Sequence, residues 1–181
     1  NYLEVAKLTA ADLHSRDRFG NSVAIDGDTV VVGADGCYYS NCPGEAYIFR
    51  THDGGITYVE LTKLTASDAT NNLFFGGSVA IDGDTVVIGG NRRGTWCAAY
   101  VFRTSDGGVT YGQVAKLMPS GVSSVAIDGD TIVVSVAITG AIVVVGADEG
   151  GAWYQYNEHR QGSAYVFHNN VEVAKLKASD A

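Results

Sequence analysis

Carboxylates recur at fixed places in this sequence: Asp26 and Asp28, Asp53, Asp82 and Asp84, and Asp106. Paired carboxylates can work on a glycosidic bond, but only at a set separation across a deep cleft. Aspartates that return with a repeat and sit beside glycine offer neither. They read as turn formers along a solvated edge. The histidines His14, His52, His159 and His168 have no partner that recurs with them. Glu158 beside His159 is an acid–base pair by composition alone, since adjacency in sequence does not orient two side chains. No Gly-x-Ser-x-Gly elbow occurs, and no phosphate-binding glycine loop leads into a helix. The pattern therefore marks no catalytic residue.

Other residues suit binding better. Tyr38, Tyr39, Trp96, Trp153, Tyr154 and Tyr156 fall in stretches of variable length between strand-like segments. Exposed there, such aromatics stack on sugars or anchor a protein interface; folded back, they shield strand edges. Arg92, Arg93 and Arg160 share that side and suit an anionic partner or plain solvation. Cys37 and Cys42 sit close enough in one loop to bridge it as a disulfide in an oxidising compartment. Cys97 is left over, either a small buried apolar residue or a partner for another chain. No Cys-His grouping has zinc spacing.

The elements that carry these residues follow from composition and period. Lys and Arg number 12 against 20 Asp and Glu, a net charge of -8. That argues against nucleic acid or an anionic membrane as partner, because both need basic surface. No apolar run reaches the ~18 residues of a membrane-spanning helix. The opening residues Asn1–Val5 are not a signal peptide, although a mature secreted chain would have lost one. Abundant Val, Thr and Tyr, with 23 Gly and 2 Pro, point to an all-β protein rich in tight turns.

The stretch Ser22–Gly33 returns almost letter for letter at Ser78–Gly89, and the offset is the one that separates Lys7 from Lys63. Each unit reads as four strands. In the first these are Ser22–Ile25, Thr29–Gly33, Ala46–Arg50 and Tyr58–Leu64; in the second, Ser78–Ile81, Thr85–Gly89, Ala99–Arg103 and Tyr111–Leu117. The first two strands join through an Asp-Gly reversal, expected to hold both central residues at positive φ. Val30-Val31-Val32 has the unbroken apolar character of a strand covered on both faces. Val59 and Leu61 alternate with polar residues, as an outer strand does. The strand–turn–strand motif occurs twice between Ser124 and Gly146, and spacing selects Ser135–Gly140 as the true start of the third unit. The other copy becomes a spare hairpin in the connecting region. In the third unit the turn between the last two strands shrinks to Asn169-Asn170, an even loss that preserves the inward faces. A four-stranded unit that cannot cover both its faces must stack on copies of itself.

These units resemble FG-GAP repeats, the blades of propellers like those of integrin α-subunits. The likeness rests on Phe19-Gly20 and Phe75-Gly76, on Val32-Gly33-Ala34 and Val145-Gly146-Ala147, and on Gly44–Phe49 and Gly162–Phe167. It covers nearly the whole chain and is closest to the short, calcium-poor variety found in tandem arrays of secreted proteins. The resemblance implies an all-β fold of four-stranded antiparallel blades in a β-propeller-like tandem array, three repeats plus an extra outer strand at Tyr2–Leu8. The divisions are 1–18 (leading strand and linker), 19–73, 74–117, 118–134 (irregular, with the spare hairpin) and 135–181. The integrin-like form carries calcium in the loop between its first two strands. Here that loop is a two-residue turn, which cannot supply about six to eight oxygens to one ion, so no metal or other cofactor is expected. The implied function is a non-catalytic extracellular structural or adhesion module, a subunit of an array, fibre or surface appendage assembled through repeat ends and loop rims. Its expected partners are other copies or neighbouring repeats, a polysaccharide, or a cell-surface protein. A lectin-like propeller is the alternative, and a propeller glycosidase the next.

Overall fold

A computed structural model describes residues 3–36, 43–71, 73–92, 96–119, 134–147 and 163–177. Among them the chain forms strands and no helix. Strands β1 (Phe19–Asp26), β2 (Thr29–Ala34), β3 (Glu45–Arg50) and β4 (Val59–Leu64) make the first sheet. Strands β5 (Ser78–Asp82), β6 (Thr85–Arg92), β7 (Trp96–Arg103) and β8 (Gly112–Leu117) make the second. Strands β9 (Val134–Thr139), β10 (Ile142–Ala147), β11 (Ser163–His168) and β12 (Val171–Leu176) make the third. Each sheet is an antiparallel meander in chain order. Ser135 pairs with Gly146 as Ser22 pairs with Gly33 and Ser78 with Gly89, so the third unit begins at the second of the two motif copies. The rest of the spare hairpin lies outside the described residues.

The sheets are propeller-like blades. The first strands β1, β5 and β9 lie side by side, and two apolar clusters fill the spaces between blades. Alternation decides which side chain enters which space. From blade 1, Val31, Ala46, Ile48 and Leu64 face forward, and Val79, Ile88, Tyr100 and Phe102 of blade 2 meet them. From blade 2, Val87, Ala99, Val101 and Leu117 face forward, against Val136, Ile138, Val143, Val145, Tyr165 and Phe167 of blade 3. Every middle strand is thus apolar on both sides, which is why its valines do not alternate. In each blade the outer strand carries a β-bulge at the same register, at Leu61, Val114 and Val173. Such bulges increase local twist.

Two local expectations change. The reversal between the first two strands is Gly-Asp: Asp26 pairs with Thr29, and of Gly27 and Asp28 only Gly27 has positive φ, at 53°. Glycine at the first central position is the other turn that matches strand twist. Asn169 and Asn170 do both have positive φ (50° and 66°). Tyr2–Leu8, expected as an extra outer strand, forms no ladder over its described part, and Leu3 and Val5 are exposed. The following segment instead packs Leu8, Ala10, Leu13 and Phe19 onto Val32, Tyr47 and Phe49 of blade 1.

Candidate functional site: the blade junctions and the open faces

The glycines of the repeat bring two blades into backbone contact. The Phe75 N–H donates to the Pro43 carbonyl at 3.0 Å, and Gly44 and Phe75 form an isolated bridge between blades. Gly76 has φ +90°, and a Cβ there would stand 2.2 Å from the Glu45 carbonyl oxygen. A Cβ on Gly33 would stand 2.0 Å from the carbonyl oxygen of Gly76. The Phe75 ring meets Tyr100 and Phe102 edge-on at 5.4 and 6.1 Å. Thus the aromatic residue of the pair fills the junction, and the glycine lets main chain touch main chain.

Polar side chains then fix the blades in register. Ser22 Oγ donates to the Gly76 carbonyl at 2.8 Å, and Ser78 Oγ accepts the Val136 amide at 3.1 Å. Asp26 Oδ2 accepts the amide of Gly83, the turn glycine of blade 2, at 2.7 Å. Asp82 accepts the amide of Gly140, the turn glycine of blade 3, in the same way. The carboxylate of one turn therefore holds the turn of the next. Arg50 adds a second tie at the first junction, from its guanidinium to the Gly107 carbonyl, while its Nε donates to Thr29 Oγ1 of its own blade at 3.3 Å. Arg103 stands at the same register but is exposed, because the turn it would reach has shrunk to Asn169-Asn170.

Asp53 and Asp106, in the loops between the third and fourth strands, are also engaged. Asp53 Oδ1 accepts the amides of Ile56 and Thr57 and the Thr51 hydroxyl, while Oδ2 accepts the Thr57 hydroxyl. Asp106 does the same with Val109, Thr110 and Thr104. These bonds hold both acids far below the usual carboxylate range, led at Asp53 by the Thr57 hydroxyl and at Asp106 by that of Thr104. Asp12, on the leading segment, meets Lys63 Nζ at 2.6 Å, which lowers its pKa; Glu45 meets the same ammonium at 2.9 Å. The pair raises Lys63 in turn, and burial, with Glu45 at 2.6 Å, raises the Tyr47 phenol. In blade 2, Asp68 meets Lys116 Nζ at 2.6 Å. Asp35 differs: burial raises its pKa, Arg18 holds Oδ2 at 3.1 Å, and Oδ1 is buried without a hydrogen-bond partner.

The binding residues expected from sequence are placed unevenly. Trp96 opens β7 opposite Arg92 rather than lying in a loop. Tyr38, Tyr39, Trp153, Tyr154, Tyr156, Cys37 and Cys42 lie outside the described residues. The aspartates of the acidic rim were legible as turn formers, but their reach into the next blade was not. The available signal was the change from Asp26 and Asp82 to Thr139 in the third copy, a side chain without a carboxylate. Among the described residues no three His, Cys, Asp or Glu side chains gather as metal ligands would.

Four-stranded blades joined through glycine pairs define a propeller-type repeat module. Residues 2–49 and 58–102 match the model of the FG-GAP repeat, and the chain belongs to that family. No curated protein matches the chain. The family is generally non-catalytic and typical of extracellular proteins. No helix among the described residues is long and apolar enough to cross a membrane.

Proposed function

We propose that the chain is a non-catalytic structural or adhesion module of an extracellular array, assembled through its repeat ends and loop rims with other copies or neighbouring repeats. The observation that carries this reading is the employment of the repeated carboxylates. Asp26 and Asp82 tie blade to blade, Asp53 and Asp106 close their own loops, and Asp12 and Asp68 pair with lysines. A hydrolase built on the repeat needs at least one such acid directed at a substrate. The chemistry of these six acids is directed at neighbouring groups of the chain instead. In this reading the module needs no metal, since Asp26 and Asp82 already accept the N–H groups of the next turn.

Electron microscopy and sedimentation at rising concentration, with and without a chelator, test the reading. Rods, rings or larger arrays that survive the chelator are expected. A particle that stays small and binds a glycan array through Trp96 and Trp153 would replace it with the lectin-like alternative.

A further inference from the structure

We infer that Asp35 is a buried proton-binding carboxyl, and that mild acid tightens the joint it makes between the leading segment, blade 1 and blade 2. Stronger acid then slackens the Asp53 and Asp106 loops, which lie at the opposite ends of the strands.

Asp35 follows directly on β2, and three parts of the chain close over it. From the leading segment, Arg18 Nη1 donates to Oδ2 at 3.1 Å and Asn21 Nδ2 donates to the same oxygen at 3.3 Å. That segment is pinned beside it by the Gly36 N–H, which donates to the Asp17 carbonyl at 3.2 Å. It also turns sharply there, with φ of 87° at Arg16 and 57° at Arg18. Left-handed backbone in a residue that carries a side chain is strained, and it persists only where the surroundings hold it. From blade 2, Gly77 comes so near that a Cβ on it would lie 3.9 Å from the Asp35 Cβ. Asp35 is 7 % exposed, and its Oδ1 meets no hydrogen-bond donor among the described residues.

A negative charge is poorly supported in this place. Arg18 is the one cation on Asp35 among the described residues, and it is half-exposed, so solvent screens it. Asp17, on the same segment, has its carboxylate on the His14 N–H at 2.5 Å. Glu45, which pairs with Ala34 across the sheet, is committed to Lys63 and Tyr47. Blade 2 brings Phe74 and Gly77, neither of which titrates. Burial therefore outweighs Arg18 and raises Asp35, where hydrogen bonds lower Asp53 and Asp106. The second unit carries the neutral isostere at this position: Gly89 pairs with Ala99 as Gly33 pairs with Ala46, so Asn91 stands where the first unit has Asp35. The third has Asp148, outside the described residues. A carboxyl that holds its proton more tightly folded than unfolded adds stability as pH falls through its folded pKa, and the gain levels off below the unfolded one. The loop acids begin to lose theirs only from there downward.

Carboxyl NMR of the whole chain, with urea unfolding of the parent and its variants from pH 7 down to about pH 4, tests this. The Asp35 carboxyl is expected to titrate above the ordinary 3.8, and those of Asp53 and Asp106 below it. Asp35→Asn has the shape of the protonated form and does not titrate, so every other acid cancels in its comparison with the parent. Relative to the parent, that variant is expected to lose stability steadily as pH falls across this range. Arg18→Gln removes the opposing cation and should move the Asp35 titration further up. An Asp35 carboxyl that titrates at or below 3.8 overturns the inference. So does a difference between parent and Asp35→Asn that stays constant with pH or runs the other way.

Discussion

Leu117 and Leu176 hold the same place in their sheets, at the end of the outer strand, yet one is 2 % exposed and the other 53 %. Nothing in either sheet accounts for the difference; the presence of a following blade does. The same contrast separates the backward edge of blade 1 from that of blade 2. A blade is therefore half of two junctions, and its apolar residues are committed before the neighbour arrives. What varies between copies is the polar tie across the gap, and that decides how firmly a neighbour is held.

The sharpest way to break the comparison is through the signature glycines. Gly76 and Gly20 occupy equivalent positions with φ +90° and +87°, but only Gly76 faces a preceding blade, while a Cβ on Gly20 meets nothing within 4 Å. Gly76→Ala is expected to cost about 3–4 kcal/mol, combining left-handed strain with a backbone clash. Gly20→Ala should cost about 1–2 kcal/mol from strain alone. Urea unfolding of the two variants gives the difference, and equal losses would mean that the junction is not the reason for glycine.

Leu64→Ala and Leu117→Ala come next, at about 2–4 kcal/mol each for a cavity between blades. Leu176→Ala should cost under about 1 kcal/mol in the isolated chain, because little apolar surface is lost from cover. If the third leucine proves as costly as the others, blade 3 is covered in solution. A smaller effect is expected at the arginines: Arg50→Gln loses its tie to Gly107, for about 1 kcal/mol, whereas Arg103→Gln should leave the melting temperature within error.

Most of this architecture was legible in the sequence because it is periodic. Repetition gave the strand boundaries to within a few residues, singled out Ser135 over Ser124, and marked Phe75-Gly76 before any contact was known. The inter-blade ties were not legible, because a turn aspartate looks the same whether it caps its own loop or the next one. Asp26 and Asp53 are both followed by glycine, yet one crosses to Gly83 and the other closes on Thr57. Only the third copy, where Thr139 and Asn169-Asn170 replace both kinds, hints that two roles existed. Leu3–Leu8 misled for the opposite reason: its pattern is that of a β12-like strand, and a strand needs a ladder that pattern alone does not provide.

The loop acids give the finest test, since blades 1 and 2 carry the Thr-x-Asp-Gly-Gly-x-Thr loop and blade 3 does not. Asp53 and Asp106 are depressed in the folded chain below the ordinary value of 3.8. A carboxylate whose folded pKa lies below its unfolded one contributes stability that is present above the unfolded pKa and lost as pH falls through the folded one. Their contribution is therefore whole at neutral pH and declines once pH drops below about 4. Asp53→Asn with Asp106→Asn should lower the melting temperature at pH 7 and flatten its further fall between pH 4 and pH 2 (roughly the window in which these acids are protonated in the unfolded chain but not in the folded one). Replacing Thr51–Thr57 by the two-residue Asn-Asn turn of blade 3 should flatten half of that dependence.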